Sequence, residues 1–467
     1  MKDFVIARVL PAVLAGLAIV FLYQWLKTDG NSDLIQRLPG QDSSERKVAA
    51  QEQPVDMTGE LITFETVAAQ ISGEWPRFRG SNFDAISRQD IELAASWPQG
   101  GPKVLWSIDV GEGHAGAAIM DGRVFLIDYD RANKRDVIRC LSLADGNDIW
   151  QYSYPVKVKR NHGMSRTVPA VTEKYIVTIG PKCHVTCLDS ATGEFKWMLD
   201  LVKDFNTTVP PWYAGQCPII DGDKAIIAPG GDSLVMAVDC NSGQIIWKSP
   251  NPKGWKMTHS SIMPAEFMGK RMYVYCGSRG VTGINAEDGN ILWLSDLWKI
   301  KIANVPSPVV VDEGLFFLSG GYNSGAMILK LSSDGQAIVA DSVFKLAPEV
   351  FGSPQHTPVF YKGFIYGVRP DGQLACLDID GNVRWTSSSA NKFGIGPYMV
   401  INDFLYVCDN EGLLSLIKAT PESFQVLTQA KVLEGPDSWG PMATAGGRLI
   451  VRDLNRMVCL DITSDGL

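Results

Sequence analysis

The stretch CLDSATGEFKW, Cys187 to Trp197, places an aspartate, a Thr-Gly pair and a tryptophan at fixed offsets, and looser copies of it recur along the chain. Aligned on the turn glycine, the copies are LSLADGNDIW (Gly146), LDSATGEFKW (Gly193), VDCNSGQIIW (Gly243), INAEDGNILW (Gly289), KLSSDGQAIV (Gly335) and LDIDGNVRW (Gly381). Successive glycines are 47, 50, 46, 46 and 46 residues apart. A seventh copy, LIKATPESFQVL near Leu416 to Leu427, keeps the apolar frame without the Gly and the Trp, and an eighth, LDITSDGL, holds Gly466 where the sequence ends. A period near 46, with strand-length alternating segments and no helical periodicity, predicts β-propeller blades of four antiparallel strands, each copy being the turn between the outer two.

The chemistry of each copy follows from its residues. An aspartate before the turn can accept bonds from the backbone amides beyond it, and the glycine takes the positive φ that L-residues resist. Asp189, Asp239 and Asp378 are therefore expected to pin their corners. Each tryptophan opens an outermost strand and is expected to lay its face on the turn of a neighbouring blade. The docking set is Trp106, Trp150, Gly193, Trp197, Gly243, Trp247, Gly289, Trp293, Gly381 and Trp385. A spacing tied to every blade favours this structural role over a cofactor box.

The eighth copy sets the blade count. It ends before a tryptophan strand, whereas KVLWSIDVG, Lys103 to Gly111, is such a strand with no turn before it. Placing this segment in the last blade closes the ring and leaves no open seam. Residues 103–467 then divide into eight blades of about 46 residues, as the spacing requires. The expected fold is all-β, an eight-bladed propeller closed by an N-terminal strand.

The eleven-residue pattern, small-x-Asp-x-x-Thr-Gly-x-x-x-Trp, resembles the tryptophan-docking motif of the pyrroloquinoline quinone (PQQ) type propeller repeat. That repeat is found in quinoprotein alcohol dehydrogenases and in the propeller lipoprotein of the outer-membrane β-barrel assembly machinery. The resemblance covers residues 103–467. The approach segment WPRFRG, Trp75 to Gly80, followed by SWPQGGPKVLW, Ser96 to Trp106, resembles the entry of tethered or secreted bacterial PQQ-like propellers of unassigned role.

Ahead of the propeller, VLPAVLAGLAIVFLYQWL (9–26) is an uncharged run long enough for a hydrocarbon core of about 30 Å. A cleaved signal peptide is the competing reading, but no small-x-small site follows the run. Lys2 and Arg8 precede it, and Asp29 and Asp33 follow, which puts residues 1–8 in the cytoplasm and the rest outside. The expected organisation is a cytoplasmic N-terminus (1–8), a signal anchor (9–26), a linker with a turn or two of helix (27–74), an arm (75–102) and the propeller (103–467). The protein is thus expected in the inner membrane, single-pass, with its propeller periplasmic. The first cysteine is Cys140, so a helix and not a lipid is the expected tether.

Composition narrows the partners. With 45% apolar and 20% charged residues the chain is globular, and its net charge of −8 gives no basic footprint for nucleic acid. The quinoprotein resemblance implies PQQ with calcium, two adjacent disulfide-bonded cysteines and an aspartate base. This sequence has nine cysteines, no Cys-Cys pair and no Cys-x-x-Cys-His haem site. In CHVTC, Cys183 and Cys187 on one strand would lie about 13 Å apart, too far to bond. Cys140, Cys187, Cys376 and Cys459 share one place in the repeat and read as small apolar packing residues. No metal ligand is assigned.

A binding face is expected at the entry to each innermost strand, marked by RTVPAV, GQCPII, SIMPAE, PSPVV, QHTPVF, GIGPYM and WGPMAT. The residues before these points should rim one mouth of the central channel. They are His114, His162, Arg166, Trp212, Tyr213, His259, Ser260, Asn304, Gln355, His356 and Trp439, including four of the five histidines. They read either as solvated loop residues or as a polar pocket on a rigid scaffold. No GxSxG, HExxH or P-loop appears. The expected function is a ligand- or protein-binding scaffold in the cell envelope, its partner an envelope protein or a small polar ligand. The alternative is a quinoprotein-like dehydrogenase oxidising an alcohol or sugar.

Overall fold

The computed structural model describes residues 10–27, 59–335 and 337–464. Residues 1–53 and 54–467 form separate compact units. In the first, the apolar run forms helix α1 (Leu10–Lys27), exposed along residues 15–24. Among the described residues no helix is long and apolar enough to cross a membrane. The N-terminal eight residues, the stretch 28–58 and the last turn with Gly466 lie outside the described residues.

In the second unit the described strands form eight sheets, one per blade, with the strands of each blade antiparallel. Blade 1 runs Ala118–Met120, Arg123–Asp130, Arg135–Ser142 and Asp148–Pro155 from axis to rim, and blades 2 to 7 repeat the order. Blade 8 has three strands from the C-terminal end, Ala443–Ala445, Arg448–Arg452 and Arg456–Asp461. Its rim strand is Val104–Asp109, antiparallel to Arg456–Asp461 with Trp106 opposite Cys459. The ring is therefore closed by the N-terminal strand. One correction concerns the linker: where a helical turn was expected, Glu60–Thr63 is a strand on the outer edge of blade 1, paired with Trp150 to Ser153. All four residues of ELIT stay exposed, and it is the open edge of the blade 1 sheet that satisfies their backbone.

The core lies between blades. Each of seven buried apolar clusters fills a seam, and the largest joins blades 7, 8 and 1 with Trp75, Leu93 and Trp97 of the arm. Tryptophans hold the rim of these seams. A Cβ on Gly193 would sit 2.7 Å from Trp150 Cδ2, and one on Gly289 would sit 2.4 Å from Trp247 Cε3. Gly146 meets Trp106 and Gly243 meets Trp197 in the same way. Trp197 Nε1 also donates to Cys240 O at 2.8 Å, and Trp385 Nε1 to Thr420 O at 2.7 Å. Blade 5 has no tryptophan at this place, and Phe344 covers Gly381 instead. Trp293 donates to Met272 Sδ at 3.3 Å, while a Cβ on Gly335 would meet nothing within 4 Å.

Opposite each indole, across the outer strand pair, stands a small residue. Cys140 faces Trp150, Cys187 faces Trp197, Cys376 faces Trp385, Ala237 faces Trp247 and Gly283 faces Trp293. The register shifts immediately after every one of these pairs. A bulge there lets the turn curl back while the indole lies over a residue too small to displace it. All nine cysteines are buried and free, which fits a packing role. Cys183 lies in the turn before the strand His184–Asp189, at φ 68, rather than on the strand itself. At the corners, Asp189 Oδ1 accepts from Ala191 N and Thr192 N at 3.0 Å, and Asp239 and Asp378 act alike.

Nearer the axis a second belt joins the blades. Val168 N donates to Cys217 Sγ, Cys217 N to Ser261 Oγ, Ser261 N to Ser307 Oγ, and Ser307 N to Thr357 Oγ1, the last three at 2.9 Å. In blades 8 and 1, glycines take this place: a Cβ on Gly116 would lie 2.8 Å from Pro441 O, and one on Gly440 would lie 2.5 Å from Arg452 Cγ. Blade-to-blade spacing is thus set by small residues.

The arm occupies the axis. Trp75 exchanges backbone bonds with Ile119 of blade 1, and Pro76 O accepts from Val171 N of blade 2. Ile86–Ser87 runs parallel to the innermost strand of blade 7, and the Gln89 amide bonds Thr444 and Gly447 of blade 8. The Arg79 guanidinium, 5% exposed, donates to the carbonyls of Phe83, Asp84, Thr357 and Pro358. The channel is therefore filled from the end where the first two strands of each blade are joined.

Three stability outcomes follow from this packing. Trp150→Ala should cost about 3–5 kcal/mol, and Gly193→Ala should cost well over the penalty at Gly335, where only the φ of +90° is strained, about 1 kcal/mol. Urea unfolding of the variants would show equal losses at Gly193 and Gly335 if indole docking did not matter. Ser307→Ala should cost about 1–3 kcal/mol by leaving the buried Ser261 N–H without its acceptor. A midpoint identical to the parent's would mean that the belt adds nothing.

Candidate functional site at the channel mouth

The opposite mouth is formed by the loops that lead from each rim strand into the next innermost strand. Proline, which has no N–H of its own to satisfy, follows directly on residues that bond the neighbouring blade: Cys217 N donates to Ser261 Oγ, and Ser307 N to Thr357 Oγ1. The expected mouth residues fall into three groups. In the first, the His114 ring stacks on Trp439 at 5.0 Å between centroids, its Nε2 lies 3.0 Å from His162 O, and Trp439 Nε1 donates to Asn410.

The second group is the largest. Arg166 donates through Nη2 to Asn161 O at 2.8 Å and His162 O at 2.9 Å, and through Nε to Trp212 O. It fastens two loops whose residues His162, Trp212 and Tyr213 hold φ of 50°, 62° and 75°. Left-handed backbone at three non-glycine residues is strained, and such strain persists only where the surroundings over-determine it. Trp212 leans on the His259 ring at 6.4 Å, while the backbone N–H groups of His259 and Ser260 both donate to Asn304 O. In the third group the His356 ring meets Tyr398 edge-on at 6.0 Å, and His356 O accepts from the Ser353 and Tyr398 hydroxyls. Gln355 beside it is half-buried.

These are not solvated loops. His114, His259, Ser260 and Asn304 are all under a tenth exposed, whereas His162 is exposed. Burial, helped by the Arg166 and Arg452 charges, pushes His114 down to about 3. Burial and Arg166 push His259 to about 4, and burial chiefly, with Arg79 adding, does the same to His356. All three rings are neutral near pH 7. The fifth histidine, His184, lies apart between blades 1 and 2, against Tyr154.

Several buried polar atoms at this mouth lack partners among the described residues: Ser165 Oγ, both amide atoms of Asn304, Ser438 Oγ and His114 Nδ1. Each such atom costs about 1–3 kcal/mol unless water or a ligand completes it. A mouth lined this way is built to give and take hydrogen bonds. Sequence reasoning missed Ser165, Asn410, Tyr398 and Ser438. It also missed Arg452, which is 2% exposed and bonds the carbonyls of Gly111, Ala115, Asp453 and Leu454. The available signal was an arginine at the end of the apolar run RLIVR.

Among the described residues no group of three or more His, Cys, Asp or Glu could hold a metal ion. Calcium takes six to eight oxygen ligands, usually with several carboxylates, and this mouth presents arginine and neutral imidazole. The donor set does not fit the calcium of a quinoprotein.

Comparison with known proteins agrees with this architecture. The BamB structure from Moraxella catarrhalis is 14% identical, with a TM-score of 0.53 over 77% of this chain and 99% of that one. The quinohemoprotein alcohol dehydrogenase from Comamonas testosteroni is 13% identical, with a TM-score of 0.59 over 83% and 80%. A europium-containing methanol dehydrogenase is 13% identical, with a TM-score of 0.57 over 81% and 89%. At these identities the likeness is one of fold. No curated protein sequence matches the chain. The profile of the family described as outer membrane protein assembly factor BamB matches residues 133–387, more than half the sequence, and the chain belongs to that family.

Proposed function

We propose that the protein is a binding scaffold of the cell envelope, held in the inner membrane by the apolar segment 9–26 with its propeller on the periplasmic side. The family description names outer-membrane protein assembly, and a role in that process is part of the proposal. The observation that carries it is the mouth itself: buried, unpartnered polar atoms at one end of a channel whose other end the arm fills. Such a ring offers its recognition chemistry on one face, to an envelope protein or a small polar ligand. Anchoring rests on the length of the apolar run and on the charges that flank it. A helix in place of a lipid would hold the propeller near the inner membrane, at the origin of outer-membrane substrates.

The quinoprotein reading is weaker, because the mouth lacks a calcium-binding carboxylate set, and no catalytic step is derived through PQQ. Calorimetric titration with PQQ, with and without calcium, should give no saturable heat. One-to-one binding at about micromolar strength would reverse the order of the two readings. Photo-crosslinking from Gln355 in the native envelope should trap an envelope protein, and co-purification should recover barrel-assembly components. Consistent absence of both would remove the scaffold reading.

The neutral histidines give a pH test. Their folded-state values lie below the usual 6.5, so their contribution to stability is complete above about pH 6.5 and is lost as pH falls toward about 4. The melting temperature should drop across that window, and the drop should shrink in His259→Asn and in His356→Asn. An identical profile in both variants would show that the rings are not buried as described.

A further inference from the structure

The loop that enters blade 2 departs from the charge of the rest of the protein. Between Pro155 and Thr172 the chain carries Lys157, Lys159, Arg160, His162 and Arg166 and no Asp or Glu, within a molecule of net charge −8. Lys157, Lys159 and Arg160 are exposed. Lys182, from the blade 2 hairpin beside them, lies with Nζ 5.8 Å from the Tyr213 ring centroid. Among the described residues the one carboxylate in an ion pair with this group is Glu112, which is shared between Arg160 and Arg131. Lys157 and Lys159 have no ion-pair partner among the described residues, and Arg166 spends Nε and Nη2 on backbone carbonyls while its Nη1 has no partner there. No carboxylate offsets the Arg166 charge.

Clustered like charges repel, so an unneutralised group on an otherwise acidic protein sets up a local field for a partner of opposite sign. The aromatic pair Trp212 and Tyr213, half-buried, stands next to it and is itself fastened by Arg166 and by the bond from Tyr213 Oη to Lys159 O. Aromatic side chains beside arginine are the usual anchors of protein interfaces. Binding to a lipid surface would call for large exposed apolar residues to insert, and neither this loop nor 209–216 has one.

We propose that the loop 157–166, with Trp212 and Tyr213, is the docking surface for an acidic segment of a partner protein. A carboxylate of the segment meets Arg166 Nη1, further carboxylates meet Lys157, Lys159 and Lys182, and an apolar side chain lies on the aromatic pair. This rests on the scaffold reading and names the part of the mouth that does the binding.

The test uses the full-length protein and fluorescein-labelled peptides, one of alternating Glu and Phe and one with Gln for every Glu, read by anisotropy. The acidic peptide should bind at least about tenfold more tightly than its Gln counterpart and should weaken as salt rises. The double reversal Lys157→Glu and Lys159→Glu, both exposed and harmless to folding, should remove that preference, and Arg166→Gln should lower affinity further. Equal binding of the two peptides, or an acidic peptide indifferent to the double reversal, would overturn the proposal. Binding of phosphatidylglycerol vesicles in place of the peptide, lost in the same variants, would overturn it in favour of lipid. Photo-crosslinking separates it from the wider reading. An acidic partner segment trapped from position 159 supports the docking surface. Crosslinks to an envelope protein from other blades, with none from 159, would sink it and leave the scaffold standing.

Discussion

The fold depends on an aromatic plane resting on a neighbour's turn. A four-stranded blade cannot bury both faces by itself, and the seams between blades are where the apolar clusters lie. An indole at the rim contributes a large contact at the widest part of the seam, and the glycine beneath it is what permits the approach. The small residue opposite the indole and the bulge behind it serve the same contact from the other side. Near the axis, where blades converge, the belt is built mostly from hydroxyls, a thiol and glycines. Wide at the rim and narrow at the hub, the wedge is written in residue size.

This explains why so much of the architecture was legible from the chain. The repeat that carries the rim contact is regular in spacing, so the blade count and the closing strand follow from arithmetic and from one orphan tryptophan at Trp106. The hub belt was less visible: Cys217, Ser261, Ser307 and Thr357 span three residue types, and only their common place near a proline or strand entry relates them. The strand at Glu60–Thr63 was hidden because four residues carry too little periodicity to declare a partner. The path of the arm was hidden for a different reason. WPRFRG is conspicuous, but nothing local says that Arg79 reaches the carbonyls of residues nearly three hundred positions away.

The mouth was legible in outline and not in character. Position in the repeat identifies which residues rim the channel, and it does so independently of their chemistry. Whether His259 is solvated or buried depends on Trp212, Gly215 and Arg166, which arrive from two other loops. The structure turns a list of polar loop residues into a lining in which imidazoles are held neutral by burial and by nearby guanidinium groups. The Arg166 guanidinium is satisfied by carbonyls and not by carboxylates, so its charge remains available to whatever enters. A ligand without negative charge would leave that field unused.

The closing strand also sets an order of events. Val104–Asp109 pairs with Arg456–Asp461 across some three hundred and fifty residues of intervening chain, and the arm ahead of it bonds blades 6, 7 and 8. These contacts are unavailable until nearly the whole sequence has been made. Early blades can form their hairpins and their shared seams as they emerge, since those contacts are local. The ring and its axial plug must wait for the last blade. Throughout that interval the rim strand and the arm are unpaired, with an exposed sheet edge and apolar residues such as Trp97 and Trp106 in water. A chain of this design spends its synthesis as an open crescent, and the period in which it needs protection is set by how fast its final fifty or so residues are delivered.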